Sequence, residues 1–411
     1  MNVDDERNIM ITDHRTASGL LVKYVSTAGT EEKDIEELYG RILAVDITAP
    51  ENVPCFRRSP YDGYAFKASD TENACEESPV ILDVTENIRA GEVAKSRVIS
   101  GTAIRLMTGA MIPEGADAVC MYEDTEYTET TVALKREYHS GDNIISPGED
   151  IKEGTLIAGK GSVADAGLTG TLASLGIVKV SVYKKPLAGI ISTGDELVDA
   201  HLAPTAGKIR NSNRYTIEAA LKGIGYDTVY LGHAKDSIED TVRLIKRGQT
   251  ECDVIISTGG VSAGDYDLVP EAMSGCGYEI PVRGVGMKPG MACAYGFANG
   301  KLMLALSGNP ASSLTNLQCI CFPALRKLAG YREYEHRLIS MKLKEDCPKA
   351  GRGTRFIRGH IEYENGEVYL SASPEQGNAV MSSAIGCNAY GILSDMKAPV
   401  MRGTVISGFC V

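Results

Sequence analysis

One short pattern occurs three times between residues 186 and 325, and it constrains the fold more than any other feature. An apolar run ends in a small hydroxyl residue, then a glycine turn and polar residues follow. The copies lie at 187–197 (LAGIISTGDEL), 253–267 (DVIISTGGVSAGDYD) and 302–312 (LMLALSGNPAS). Short apolar runs bounded by glycine turns are typical of buried strands in a parallel sheet.

Helical patterns at 213–222, 237–247 and 311–328 accompany these runs. Strand, turn and helix in repetition predict a doubly wound α/β domain, which we place at 185–330. Ligands of such sheets bind at the carboxyl ends of the strands. The polar residues expected at that edge are Thr193, Asp195, Glu196, Thr258, Ser262, Asp265, Asp267, Ser307 and Asn309.

The rest of the 411-residue chain is too long to belong to the same core, so we expect a multidomain α/β plus β protein. Strand-like segments separated by turns predict an inserted β-rich domain at 55–140. Short strands of alternating apolar and polar residues predict a small β-barrel or sandwich at 331–411. Residues 1–54 and 141–184 flank the insertion. Within them we expect a strand near 20–24 and helices at 30–44 and 162–175.

Charge and cysteine content limit the class of protein. The formal net charge of −12 argues against nucleic acid or an anionic membrane as a partner, but permits a small anionic ligand. No apolar run approaches the roughly 20 residues of a spanning helix, and the acidic N-terminus is unlike a signal peptide. Eleven cysteines without a CxxC pair favour reduced thiols in a cytoplasmic protein.

The turn residues suggest a chemistry. Gly194, Gly259 and Gly260 would let the backbone approach a phosphate, and Lys288 would add a positive charge. Carboxylates at 195–196 and 265–267 beside phosphate favour Mg²⁺. The pattern indicates a magnesium-assisted phosphoryl or nucleotidyl reaction on a phosphorylated small molecule. The alternative is that these are ordinary strand–helix turns with acidic helix caps.

Common catalytic motifs are missing from the sequence. It contains no Walker motif, no GxGxxG after a strand and no histidine pair with metal-ligand spacing, and Ser307 does not lie in a GxSxG motif. The widespread nucleotide folds, a zinc site and a serine hydrolase are therefore disfavoured.

Eight motifs together carry a family likeness: SPYDGYA, MTGAMIPEGADAV, GEDIKEG, STGDELV, GKIRNSN, STGGVSAGDYD, MKPGM and LSGNPAS. In their order and spacing they resemble the molybdopterin molybdenumtransferases over nearly the whole chain. The resemblance implies insertion of molybdenum from molybdate into adenylylated molybdopterin, with Mg²⁺ assisting and AMP released, as the last step of molybdenum cofactor biosynthesis.

The same resemblance implies a cytoplasmic homodimer of elongated four-domain subunits, with a linker domain (1–54 with 141–184), an inserted β-rich domain (55–140), a molybdopterin-binding α/β domain (185–330) and a C-terminal β-barrel (331–411). Its cleft would lie between the α/β domain of one subunit and the inserted domain of the other. A molybdopterin adenylyltransferase is a further expected partner.

Matched to the motifs, the implied catalytic residues are Asp62, Thr108, Glu196, Asp267 and Lys288. The metal and molybdate end would use Asp62, Asp150, Glu196 and Asp267. The implied substrate-binding residues are Thr193, Gly194, Asp236, Gly259, Gly260, Ser262, Ser307, Asn309, Pro310 and Arg358. For Asp62 and Asn309 the alternative is a side chain that only caps or braces a tight turn.

The chain departs from the family pattern at four positions. Tyr61 replaces a methionine, Met291 and Gly284 replace lysines, and Asn378 replaces a serine. Arg283 could substitute for one lysine only if its side chain turns inward. The lost positive charge leaves two alternatives open: a non-catalytic paralogue that carries, senses or scaffolds molybdopterin or a nucleotide, and a transferase that uses tungstate.

Overall fold

The computed structural model describes residues 11–235, 237–262, 268–347, 353–394 and 399–411. Their contacts divide into two compact units. The first holds the described residues of Met1–Val45, Lys160–Asp165 and Lys179–Val411, and the second holds Asp46–Gly159 and Ala166–Val178. The four-domain boundaries stay a prediction.

The first unit is built on a six-stranded central sheet. Its strands, numbered here from first to sixth in chain order, are Leu187–Thr193, Asp227–Ala234, Val254–Thr258, Glu279–Arg283, Cys293–Ala298 and Lys301–Leu306. Their order across the sheet is second, first, third, sixth, fifth, fourth. The second, first, third and sixth strands run parallel, the fifth runs antiparallel to the sixth, and the fourth runs antiparallel to the fifth. The predicted central α/β sheet is confirmed.

Five α-helices accompany this sheet: Ser212–Lys222, Ile238–Glu251, Val269–Gly275, Pro310–Asn316 and Phe322–Leu328. The side chains of Asn211 and Ser237 accept hydrogen bonds from backbone N–H groups in the first turns of the first two helices, which fixes where those helices begin. The single helix expected at 311–328 is interrupted, because Leu317–Cys321 forms a π-helical turn.

A closed barrel follows the sheet. Its five strands are Ile339–Leu343, Thr354–Glu364, Glu367–Ala372, Ala389–Leu393 and Val405–Cys410. Closure comes from the pairing of Thr354–Glu364 with Ala389–Leu393. The short strand Met287–Lys288 adds to the barrel by pairing in parallel with Thr354 and Arg355.

Two expectations near the N-terminus are wrong. Residues His14–Tyr24 form a helix capped by the Asp13 side chain, not a strand. Residues 30–44 begin with a strand, Thr30–Asp34, followed by a single 3-10 turn at Ile35–Glu37. The strand pairs antiparallel with Lys179–Tyr183, almost 150 residues away, and this distant partner outweighs the local helical spacing.

The second unit contains a six-stranded sheet with two apolar layers. Its strands are Gly63–Phe66, Val80–Ile88, Thr102–Leu106, Ala118–Met121, Thr125–Tyr127 and Thr131–Leu134, and Ile47–Thr48 pairs separately with Leu156–Ala158. The helix expected at 162–175 begins later, at Ala166, and ends at Ser174. Residues 163 and 164 are extended instead, because they bond to residues 41 and 42.

Candidate active site

The first, third and sixth strands of the central sheet end side by side and form one edge of a cavity of about 650 Å³. The register places Ser192 beside Thr258, and Thr258 beside Leu306. Chain order reverses between the first and third strands, which is where ligands of doubly wound sheets bind. The cavity brings together nine of the predicted site residues: Thr193, Gly194, Glu196, Gly259, Gly260, Ser262, Ser307, Asn309 and Pro310.

The turn after the first strand holds an exposed carboxylate. The Glu196 side chain folds back over Gly194, close enough that a Cβ on Gly194 would overlap it. No donor among the described residues bonds to this carboxylate, so it is available to a ligand. The Gly194 carbonyl lies 2.7 Å from the Nε2 atom of His233, which ties the turn to the second strand.

The turn after the third strand passes directly over Thr193. A Cβ on Gly259 would lie 2.5 Å from the Thr193 Oγ1 atom and 2.8 Å from its carbonyl oxygen, and the φ of Gly259 is +92°. Both facts require glycine. Thr193 is buried and its hydroxyl donates to the Thr258 carbonyl at 3.2 Å. The cavity floor is therefore backbone, accessible to an anionic group.

Asn213 joins two of the turns, and the sequence analysis gave it no role although it lies in the GKIRNSN motif. Its Nδ2 atom donates to Thr258 Oγ1 at 2.7 Å and to the Gly308 carbonyl at 2.8 Å. The Oδ1 atom is buried without a partner among the described residues. The sequence carries no local signal for this role, because both hydrogen-bond partners lie in distant segments of the chain.

The turn after the sixth strand leads into the helix Pro310–Asn316. The backbone N–H of Asn309 donates to Ser307 Oγ at 3.2 Å. The Asn309 side chain makes no capping hydrogen bond to the helix that follows. It lines the cavity instead, which leaves its amide available for a ligand.

Lys288 lies where two further cavities meet. One, of about 540 Å³, is also lined by Met291, Ser307, Asn309 and Asn378, and so adjoins the strand-end cavity. The other, of about 850 Å³, lies against the barrel. Arg283 is exposed at the end of the fourth strand and lines none of these three cavities.

Arg358 lies behind the cavity walls and is fully buried. Its guanidinium donates to Ser383 Oγ at 2.9 Å, to the Gly377 carbonyl at 3.3 Å and to Thr315 Oγ1 at 3.4 Å. Burial lowers the pKa of this guanidinium. The three hydrogen bonds of Arg358 hold the loop that carries Asn378 against the helix Pro310–Asn316. Direct contact between Arg358 and a substrate stays a prediction.

In the second unit, Asp62 and Thr108 are in contact. The Asp62 Oδ1 atom accepts hydrogen bonds from the backbone N (2.6 Å) and Oγ1 (2.8 Å) of Thr108. Asp150 is exposed in the same unit, and its backbone N–H bonds to Val53.

Three residues predicted at the site, Asp236, Asp265 and Asp267, lie outside the described residues. Within the described ranges, no three histidine, cysteine, aspartate or glutamate side chains cluster in a way that could hold a metal ion. Over the same ranges, no helix combines the length and apolar character needed to cross a membrane.

Comparison with known proteins identifies the family. Residues 1–176 match the MoeA N-terminal region (domain I and II), and residues 189–327 match a family described as a probable molybdopterin binding domain. A molybdopterin molybdenumtransferase of Staphylococcus epidermidis is 38% identical over 325 residues, covering 79% of this chain and 78% of the relative. One from Bacillus subtilis is 36% identical over 369 residues, covering 89% and 86%.

The fold agrees with these matches. The crystal structure of the molybdopterin biosynthesis moeA protein from Pyrococcus horikoshii superposes with a TM-score of 0.84 at 29% identity, covering 98% of this chain and all of that one. The chain belongs to the molybdopterin molybdenumtransferase family, as the motifs predicted.

Proposed function

We propose that this protein inserts molybdenum from molybdate into adenylylated molybdopterin and releases AMP. The observation that carries the proposal is the pair of adjoining cavities: one floored by glycine turns at the strand ends, the other lined by Lys288. The first suits a phosphate and the second suits an oxyanion. Ser307 and Asn309 line both, so the two anionic substrates would meet at these residues.

Each part of the site has a role in this proposal. The backbone of Gly194, Gly259 and Gly260 would bind phosphate oxygens, and the hydroxyls of Ser262 and Ser307 would orient the substrate. Lys288 would neutralise the negative charge of molybdate or of the substrate phosphate. The carboxylates of Asp62, Asp150, Glu196 and Asp267 would serve the metal and molybdate end, and Asp236 would support substrate binding.

Magnesium would bind at Glu196, the one carboxylate among the described residues that line the strand-end cavity. Glu196 offers an unbonded, exposed carboxylate at the strand-end cavity, and Mg²⁺ binds through one or two carboxylates together with substrate phosphate. Asp267 would supply the second carboxylate. The ion would offset the negative charge of the phosphates.

We also propose that the protein acts as a cytoplasmic homodimer. In a homodimer of the kind that the motif resemblance implies, Asp62 and Thr108 of one copy would act together with the strand-end residues of the other. Mixing an inactive Asp62→Ala chain with an inactive Asp267→Ala chain should restore part of the activity. No recovery in confirmed mixed dimers would contradict the shared site. An adenylyltransferase that supplies the adenylylated substrate is the partner this chemistry requires.

The deciding experiment measures AMP release from adenylylated molybdopterin, with and without molybdate and with and without Mg²⁺. We expect release only when both are present. Release that ignores molybdate would overturn the transferase function. Tight binding of the substrate without release would favour the non-catalytic alternative, which the missing lysines motivate. Competition between molybdate and tungstate in the same assay would identify the oxyanion.

A further inference from the structure

A buried asparagine lies beneath the loop that carries Lys288. The side chain of Asn316 is fully buried, and its Nδ2 atom donates to the Gly290 carbonyl at 2.8 Å. A weaker contact of 3.7 Å joins the same nitrogen to the Met287 sulfur. Both partners flank Lys288, so this amide bonds to the loop on either side of the lysine.

The other end of the Asn316 amide is fixed in the core. Its Oδ1 atom accepts hydrogen bonds from the Tyr295 hydroxyl at 2.6 Å and from the Cys321 thiol at 3.5 Å. Both donors are fully buried. The amide therefore has partners at both of its polar atoms, and a satisfied buried network of this kind holds its members in one geometry.

The loop packs directly on the helix that carries Asn316. A Cβ on Gly290 would lie 3.0 Å from the Ser312 carbonyl and 3.1 Å from the Asn316 Cβ. Asn316 is the last residue of Pro310–Asn316 and precedes the π-helical turn Leu317–Cys321. The π-helical turn is closed by the bond from the Phe322 N–H to the Leu317 carbonyl. Cys321, at the end of this turn, places its thiol against the Asn316 side chain.

We infer that Asn316 is a positioning residue for Lys288. It fixes the loop in the position from which the exposed Lys288 side chain reaches the cavity that Asn309 also lines. The inference rests on the proposed function in one respect: Lys288 is taken to bind the oxyanion. The geometric part, that Asn316 fixes the loop, stands on the contacts alone.

The chain offers a clean reporter because it contains no tryptophan. Met291 is 52% exposed, so M291W places a single indole on the loop next to Gly290. In this background we compare Asn316→Ala with Tyr295→Phe. The first removes the bond to Gly290, whereas the second removes a core bond of the same asparagine and leaves the bond to Gly290 in place.

We expect Asn316→Ala to raise acrylamide quenching of the indole about twofold because the loop loses its anchor, and Tyr295→Phe to leave quenching unchanged. With native Met291, Asn316→Ala should raise the molybdate concentration for half-maximal AMP release at least about tenfold, since a misplaced charge no longer meets its ligand. Half-saturation by adenylylated molybdopterin should change less than about twofold in either variant.

Quenching that is the same in Asn316→Ala and its parent would overturn the inference, as would an equal rise in Asn316→Ala and Tyr295→Phe, which would indicate general destabilisation. If Asn316→Ala does not fold, Asn316→Ser, too short to reach Gly290, replaces it. A loop that moves without any change in molybdate half-saturation supports the positioning by Asn316 and counts against Lys288 as the oxyanion ligand. Absence of AMP release in the parent protein would overturn the proposed function and leave the quenching test intact.

Discussion

The Asp62 carboxylate accepts two hydrogen bonds from a single residue, Thr108, which is 46 positions later in the sequence. The strands that precede and follow these residues pair antiparallel, with Gly63 beside Leu106, and so bring the two loops together. Both bonds hold the pKa of Asp62 below its usual value, and the bond from the backbone N–H of Thr108 has a larger effect than the bond from its hydroxyl. Thr108 thus orients an ionised carboxylate.

Two substitutions can distinguish a structural role of the Asp62–Thr108 contact from a role of the Asp62 negative charge. Asp62→Asn keeps an acceptor for both bonds but removes the charge, so we expect AMP release to fall more than about 100-fold while the melting temperature changes little. Thr108→Val removes one bond and keeps the backbone donor, and we expect a loss of about tenfold. Steady-state kinetics and thermal melts of both variants are the measurements. An active Asp62→Asn protein would show that Asp62 only braces the turn.

Asn213 should control substrate affinity, because it links the turns after the third and sixth strands. Asn213→Ala leaves the Gly308 carbonyl without its donor, and we expect binding of adenylylated molybdopterin to weaken about tenfold in calorimetry. Asn213→Asp should do no better, since it also lacks the amide donor.

The matched control for Asn213 is Tyr226→Phe. It removes a buried hydrogen bond of 2.6 Å to the Leu325 carbonyl in the same unit, remote from the cavity. We expect lower stability and normal binding in this variant. Weakened binding in Tyr226→Phe of the size seen in Asn213→Ala would mean that loss of stability explains both.

The two missing lysines should respond differently to restoration. Met291 is exposed and lines the Lys288 cavity, so Met291→Lys should lower the molybdate concentration for half-saturation about threefold or more at unchanged stability. Gly284 is buried with a φ of +91°, and Gly284→Lys should destabilise the fold by roughly 1–3 kcal/mol. Molybdate titrations and thermal melts test both. Equal tolerance of the two substitutions would contradict this explanation.

A histidine whose two ring nitrogens are buried should make stability depend on pH. His336 stacks on Phe409 at 3.9 Å between ring centroids, and burial lowers its pKa from the usual 6.5 to about 4. The folded protein therefore keeps this imidazole neutral between these values while the unfolded chain takes up a proton. The free energy of unfolding should fall below pH 6.5 by about 1.4 kcal/mol per pH unit from this group, down to about pH 4.

Urea unfolding of the native protein and of His336→Phe, measured from pH 7 to pH 4, isolates this contribution. We expect the native protein to lose more stability than the variant as pH falls. His201→Gln, at an exposed position of the same unit, is the control and should follow the native protein. Identical pH dependence in the native protein and His336→Phe would contradict the prediction.

The sequence predicted those parts of the fold that local patterns determine. The apolar runs that become the first, third and sixth strands and the capped helix Ile238–Glu251 carry their own boundaries in hydroxyl, glycine and capping residues. The segment Thr30–Asp34 carries no such boundary residues, because only its pairing with Lys179–Tyr183 makes it a strand. A pattern of helical spacing is weak when the partner lies elsewhere in the chain.

The site divides in the same way. Glycines that follow strands could be assigned to a ligand-binding edge from their positions alone. Asn213 and Asn316 could not, because their hydrogen bonds reach segments 95 and 26 residues away. Arg358 was predicted from the family resemblance, but only the structure shows that its side chain is fully buried.

The short strand Met287–Lys288 pairs with Thr354 and Arg355 of the barrel. Two substructures therefore support the loop that presents Lys288. The helix Pro310–Asn316 donates a hydrogen bond to it, and the barrel edge pairs with it as a strand. A shortened protein ending after the α/β region would lose the lateral support of its cationic loop, and with it the barrel residues Phe356, Tyr390 and Phe409, which share an apolar core with the sheet. The barrel cannot be trimmed away as a separate appendage, and any minimal version of this protein has to include it.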